Sequence, residues 1–148
     1  MAERKVTFYN PLDLDDNIGI GITLPLTAGA GGFNVSYTTA VQALSNLKNL
    51  LSTRKGERFL QPTFGTNLPS LLFEPMDGQL QTRIDSVLRD DIGDWLPYIV
   101  IDKIETDLDY DRHTVRINMR FRVTEQGVNE ELTFSIDAAG ETTIQTYI

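Results

Sequence analysis

The sequence predicts an α+β fold: two main helices and a short helical turn packed on a small antiparallel meander sheet, with extended N- and C-terminal arms. Two observations carry this. Apolar residues recur at steps of three and four from Tyr37 to Leu51 and again from Leu80 to Trp95, the spacing that lays one apolar stripe along a helix. Val115, Ile117, Met119, Phe121 and Val123 then alternate with Thr114, Arg116, Asn118, Arg120 and Arg122, and Leu132, Phe134 and Ile136 alternate with Glu131, Thr133 and Ser135, as strands with one buried face require. Three segments follow: an extended arm with a Gly-rich hinge over 1–33, the α+β domain over 34–137, and a tail or added strand over 138–148.

A chain of 148 residues fits a single domain, which at this size buries roughly 68–70% of the surface its unfolded form exposes. It has no cysteine, so neither a disulfide nor a thiolate site supports it. The 13 Lys and Arg against 21 Asp and Glu give a formal charge of −8, whose field repels phosphate backbones and anionic lipid. Neither nucleic acid nor membrane is therefore expected as a partner. No run approaches the length of a membrane-spanning helix, and the start lacks the apolar stretch of a signal peptide. A soluble chain made in the cytoplasm is the expectation.

Along the arm, Ile18, Ile20, Ile22, Leu24 and Leu26 alternate with Gly19, Gly21, Thr23 and Pro25, a strand period that the glycines and proline confine to an edge or an extended arm. Such a segment pairs either with a neighbouring chain or with its own domain. Thr27–Phe33 reads as a hinge, because its glycines lack the strand, helix start and Lys-Ser/Thr pair of a phosphate loop. The first helix is expected from Ser36 as N-cap to Lys55, with Tyr37, Val41, Leu44, Leu47 and Leu51 on its buried stripe and Ala40, Ala43 and Leu50 widening it. Arg54 and Lys55 would then sit in the last turn and Gly56 at the stop.

The connector follows. Pro62 favours an extended path through Glu57–Gln61, Phe64-Gly65 turns the chain, and Asn67–Phe73 forms one or two helical turns bounded by Pro69 and Pro75. Phe59, Phe64, Leu68, Leu71, Leu72 and Phe73 form an apolar set expected to anchor this segment, leaving Arg54, Lys55, Glu57 and Arg58 as polar candidates for partner contact. Asp77 is placed to cap a second helix with Leu80, Ile84, Val87, Leu88, Ile92 and Trp95 on one face and Arg83, Asp85, Arg89, Asp90 and Asp94 on a solvated face, ending at Pro97.

Tyr98–Leu108 has strand content without a clear register. On the next strand Arg116, Arg120 and Arg122 share one face. Carboxylates on neighbouring strands, such as Glu105, Glu130 or Glu131, would make this cross-strand pairing; a partner-binding stripe is the alternative. The tail from Gly140 to Ile148 is rich in β-formers and reads as a frayed end or a further strand.

Catalytic and metal chemistry find little support. Asp107, Asp109 and Asp111 open like a calcium loop, but Arg112 stands where that loop needs glycine and Asn118 where it needs glutamate, so a turn explains them. His113 is the single histidine, which excludes a multi-histidine metal site. No cofactor is expected. Glu57 and Glu74 are the pair a peptidoglycan-cleaving alternative would use, as acid and nucleophile or base, and the sequence does not set their separation.

Ser52-Thr-Arg-Lys-Gly-Glu-Arg58, followed by Pro62-Thr-Phe-Gly65, Leu68 and Leu72-Phe-Glu74, resembles the hallmark of the gene-product-twenty-five-like baseplate wedge proteins of contractile-tailed bacteriophages, which have relatives in type VI secretion baseplates. The likeness runs from Tyr37 to Ile136 in the order and kind of elements. It implies a non-enzymatic structural subunit of the virion tail baseplate, partnered by other wedge proteins and by the tail sheath protein, offering a sheath-like fold on which the first sheath ring assembles through strand exchange. The family also carries a lysozyme label. One departure stands out: the family's Glu-Pro-Arg after the second helix is Leu96-Pro97-Tyr98 here, so only Pro97 keeps that docking position and its salt-bridging role is not carried over.

Overall fold

The computed structural model describes residues 15, 17–24, 26, 28–29, 32–71, 74, 77–109, 111, 114–124, 129–136 and 142–147, of which 28–29, 129–136 and 142–147 are described by their backbone. The expectations placed on Leu72, Phe73, Pro75, Arg112 and His113, and on the side chains of Glu130 and Glu131, lie outside the described residues.

The architecture is α+β. Strands β1 (Gly21–Ile22), β2 (Ala28–Gly29), β3 (Gly32–Phe33) and β4 (Val35–Ser36) precede helix α1 (Thr39–Ser52), the short α2 (Leu68–Leu71) and helix α3 (Leu80–Trp95). Strands β5 (Ile99–Asp109), β6 (Thr114–Val123), β7 (Asn129–Ile136) and β8 (Thr142–Tyr147) complete the chain. The last four form one antiparallel sheet in the order β5-β6-β7-β8, the expected meander with the tail added as a fourth strand.

The described residues ahead of α1 form two short antiparallel pairs. β1 lies antiparallel to β4, with Gly21 opposite Ser36 and Ile22 opposite Val35, and β2 lies antiparallel to β3 closer to the tip. Of the Gly-rich hinge expected over Thr27–Phe33, Ala28–Gly29 and Gly32–Phe33 are the paired strands β2 and β3, and Thr27, Ala30 and Gly31 lie outside the described residues.

α1 is shorter than its apolar pattern suggests, and the reason is local. Thr38 is the N-cap, extended at φ −128 and ψ 147, and its Oγ1 accepts the Val41 N–H at 3.3 Å. Ser36, expected to cap, is instead buried in β4 with its hydroxyl on the Gln42 side-chain oxygen. Tyr37 and Val41 consequently fall outside the buried stripe and are exposed; that stripe is Ala43, Leu44, Leu47, Leu50 and Leu51. At the other end Thr53 is extended and its N–H returns to the Leu50 carbonyl, so Arg54 and Lys55 lie past the helix rather than in its last turn.

The start of α3 also differs from expectation. Asp77 sits two residues ahead of the N-cap Gln79, where its Oδ1 accepts the Gln79 N–H at 3.0 Å and its carbonyl accepts the Leu80 N–H at 3.1 Å. It folds the approach to the helix as a local side-chain turn.

The core lies between the two helices and one face of the sheet. Leu47, Leu50 and Leu51 of α1, Leu80, Ile84, Leu88 and Ile92 of α3, and Val115, Ile117, Met119, Phe121 and Val123 of β6 form one buried cluster, which Phe64, Leu68 and Leu71 of the connector extend. Removing apolar surface from water drives this assembly at roughly 25 cal/mol per Å². Among the described residues of the expected anchor set, Phe59 departs from it. It is 97% exposed, and its neighbour Leu60 is 89% exposed, because the loop carrying them turns away from the core.

The obscure register of β5 has a structural cause. Its pairing with β6 shifts between Ile101 and Lys103, so Ile99 and Ile101 face the core before the irregularity and Ile104, Thr106 and Leu108 after it. Asp102 and Lys103 both turn to solvent. A bulge therefore joins two alternations of opposite phase.

Candidate functional site

The connector between α1 and α2 is a loop with a pinned neck. Thr66 donates its N–H to the Thr53 carbonyl at 2.8 Å and Lys55 donates to the Thr66 carbonyl at 3.3 Å, which sets Arg54 and Thr66 side by side as a parallel bridge. Gly65 makes this approach possible. Its φ is +113, and a Cβ there would lie 2.4 Å from the Thr53 carbonyl oxygen. Gly56, at φ +90, turns the chain outward, and its N–H donates to the Pro62 carbonyl at 2.7 Å, closing the loop that carries Phe59 and Leu60.

The polar candidates of this segment are partly engaged at home. Glu57 turns back so that its Oε2 accepts the Arg54 N–H at 3.0 Å. Arg58 donates to Asn49 Oδ1 of α1 at 3.0 Å, and its guanidinium lies 3.8 Å from the centre of the Phe64 ring. That ring meets Trp95 edge-on at 5.1 Å between centroids, which ties the connector to the end of α3. Lys55 is ion-paired with Asp91 of α3, whose side chain is only 4% exposed. Asp91 Oδ2 is buried without a hydrogen-bond partner, so Lys55 is the cation that offsets this carboxylate's burial.

Asp91 does not stand out in the sequence as a functional residue. Its signal was present, since position 91 lies seven residues after Ile84 and beside Ile92, on the apolar stripe rather than among the solvated charges. An acidic residue at a core-facing helix position implies a cation brought to it by another element.

Glu57 and Glu74 are held by different partners. Glu74 Oε2 lies 3.0 Å from Arg83 Nε, an ion pair without hydrogen-bond geometry, and Arg83 also reaches Asp77 at 3.1 Å. Both carboxylates thus serve local structure. Pro97 is exposed in the turn from α3 to β5, and the neighbouring Tyr98 hydroxyl accepts from Asn46 Nδ2 at 2.9 Å. Asn46 in turn accepts from Gln42 Nε2 at 2.8 Å, so a polar line runs from the hairpin across α1 to the sheet. It borders a recess of about 250 Å³ lined by Ile20, Thr39, Gln42, Ala43, Asn46, Tyr98 and Val123.

On the sheet, the register sets Arg116 opposite Asp107 and Arg120 opposite Glu131, and Arg122 Nε lies 3.3 Å from Asp102 Oδ1. Glu105, one expected partner, hydrogen-bonds Lys103 on its own strand; that bond and the charges of Lys103 and Arg120 hold its carboxyl below the ordinary glutamate range. All three arginines are exposed on the face away from the helices. Where β5 ends, Asp109 Oδ1 accepts the Asp111 N–H at 3.1 Å, the local bonding expected of a turn, whereas Asp107 lies within the strand rather than in the turn.

With this geometry in hand, three solved structures are informative. A Geobacter sulfurreducens protein provisionally described as a tail lysozyme superposes with a TM-score of 0.61 at 17% identity, over 68% of this chain and 91% of its own. A chain of the anti-feeding prophage baseplate gives 0.62 at 16% identity, over 70% and 83%. A chain of the post-contraction pyocin R2 baseplate gives 0.54 at 15% identity, over 66% and 97%. At these identities the likeness shows a shared fold. No curated protein sequence matches the chain. The model of the baseplate wedge protein gp25 family matches residues 39–128, from the start of α1 through β6. Because that match spans more than half of the chain, including both long helices and the connector, the protein belongs to the baseplate wedge protein gp25 family and has a structural role in a baseplate.

Proposed function

We propose that the protein is a wedge subunit of a contractile-tail baseplate that joins the wedge core to the tail sheath and templates the first sheath ring by strand pairing, without catalytic activity. The match of residues 39–128 to the wedge family carries this reading. The sheet supports the pairing step. β5 and β8 are its two edges, and an edge strand presents unpaired N–H and C=O groups to an incoming strand. β5 is blunted by its bulge and by Asp102, Lys103, Glu105, Asp107 and Asp109, whereas residues 142–147 contain no charge. The edge that receives a sheath strand is therefore β8. Arg54, Lys55, Glu57, Arg58, Pro97, Arg116, Arg120 and Arg122 remain the positions offered to neighbouring wedge proteins, with Lys55 and Arg58 also bracing the loop. Among the described residues no helix is long and apolar enough to cross a membrane.

Mass spectrometry and imaging of purified tails test the assignment. The chain is expected at the baseplate, between wedge and sheath; its absence from tails rejects the reading. A cell-wall turnover assay addresses the lysozyme description of one structural relative. No muropeptide release is expected, and release that Glu57→Gln or Glu74→Gln abolishes would restore the enzymatic alternative.

A further inference from the structure

Ahead of α1, the hairpin of β1 and β4 is attached differently from the core elements. None of its described residues joins the core cluster, and of residues 17–24 and 32–36 only Ser36 is buried. Its large apolar side chains Ile18, Ile22, Phe33 and Val35 are exposed. What fastens it is polar. Ile20 donates its N–H to the Ser36 carbonyl at 2.8 Å and Thr23 donates to the Asn34 carbonyl at 2.9 Å, which closes the hairpin on itself. Toward α1, the Leu24 N–H donates to Ser45 Oγ at 3.3 Å, Lys48 Nζ donates to the Leu24 carbonyl at 3.4 Å, and the Ser36 hydroxyl meets the Gln42 side-chain oxygen. Ser45 and Lys48 are three residues apart on α1 and so share a face, from which they take both backbone polar groups of Leu24. Residues 17–47 carry no carboxylate, so nothing within that segment competes with the Leu24 carbonyl for the ammonium.

The two kinds of attachment differ in what it takes to undo them. α1, α3 and β6 are joined by buried apolar surface, whose stabilisation is lost only when they separate. A hydrogen bond that water can reach is exchanged for one to water at little net cost, and a pair of strands two residues long does not persist alone. Segments with few buried apolar contacts therefore open without global unfolding. The boundary of such a unit is visible in the chain. The match to the wedge family begins at residue 39, the first residue of α1, so the hairpin precedes the domain that the family shares. The bond from the Val41 N–H to Thr38 Oγ1 caps that domain and needs nothing from the hairpin.

We propose that the hairpin is a latched strap, which leaves α1 and loses its strand pairs in one step while the family domain stays folded, and that Ser45 and Lys48 are its latch. Ile20 forms one side of the recess that Gln42, Asn46 and Tyr98 also line, so opening the strap widens the way into that recess. The closed strap thus governs access to this face of α1. It is a property of the free chain, independent of the assembly the chain enters.

Native-state hydrogen exchange followed by NMR on the full chain tests this. The Ile20, Thr23 and Leu24 amides should share one protection factor, at least about 100-fold below those of Leu47, Leu88 and Ile117 in the core. Ile84→Val, which removes a buried methyl group from α3, should lower the protection of the core amides by about 3- to 10-fold. It should leave the hairpin amides unchanged, because the open and closed strap keep the same core. Lys48→Met keeps most of the stem and removes the donor, and should lower the protection of all three hairpin amides by one common factor of at least about 3. Hairpin amides that fall with the core amides in Ile84→Val would be exposed only by global unfolding, which overturns the strap. Hairpin amides with no protection in the wild-type chain would overturn the closed state. A Lys48→Met effect confined to Leu24, or no effect at all, would overturn the single step and its latch.

Discussion

At the scale of single residues, the Lys55–Asp91 pair separates what charge does at the surface from what it does at the edge of the core. Exposed ion pairs such as Arg89–Asp85, at 2.8 Å across one helical turn, contribute a few tenths of a kcal/mol. Asp91 is different, because its carboxylate is buried and Lys55 is the cation beside it. Lys55→Ala should therefore destabilise the fold by about 3 kcal/mol, the lower end of the cost of orphaning a buried charge, since Lys55 itself stays partly in water. Urea denaturation of the two proteins checks this, and a loss near zero would mean that water solvates Asp91 without its partner. Glu105 offers a second measurement. Its carboxyl is held low first by the hydrogen bond from Lys103, then by the charges of Lys103 and Arg120. A lowered folded-state value means that this favourable interaction is present above the ordinary glutamate range and is lost as pH falls through the folded midpoint. NMR titration should thus place Glu105 below an ordinary glutamate, and Lys103→Met should move the midpoint upward.

At the scale of elements, the long periodic stretches were legible and their ends and outward turns were not. α1, α3 and β6 declare themselves because their buried faces repeat over many residues, so a few exceptions do not obscure the period. The end of α1 depends on one side chain. Thr38 Oγ1 reaches an open helix N–H, and Ser36, an equally good capping residue by type, is occupied with Gln42. The exposure of Phe59 is hidden for a related reason: a short apolar run beside a proline has no period, and nothing local says which way the loop faces. Gly65 explains that direction once the fold is known, since it lets residues 65–66 pass against Thr53 and Arg54 and so sets the neck from which the loop projects. Gly65→Ala combines a positive φ with a clash against backbone, and should cost more than about 1 kcal/mol. Thermal unfolding reads that loss. The same substitution at Gly56, where a Cβ meets nothing within 4 Å, should cost less, because only the backbone strain remains.

At the scale of the whole molecule, the order of elements was readable because each is specified locally, while the path of both ends depended on pairing between distant residues. The segment before α1 closes on itself through Ile22 and Val35, and the tail joins the sheet through pairs from Glu131–Tyr147 to Ile136–Thr142. The alternation from Ile18 to Leu26 marks a strand without naming its partner, and the tail carries β-formers without a period. With β8 in place the molecule has one blunted edge and one uncharged edge, and under the proposed strand templating this asymmetry directs the incoming strand to β8. In an edge strand alternate N–H groups point outward, so of two neighbouring proline substitutions one removes a bond to β7 and the other removes a donor offered to an incoming strand. Between Gln145→Pro and Thr146→Pro, the variant that better preserves the monomer's Tm is the one that removes the outward donor. That variant should enter baseplates at wild-type occupancy and yet leave tails with tubes but no ordered first sheath ring in electron micrographs. Normal sheaths on baseplates carrying it would remove β8 as the template and turn attention to the blunted edge at β5.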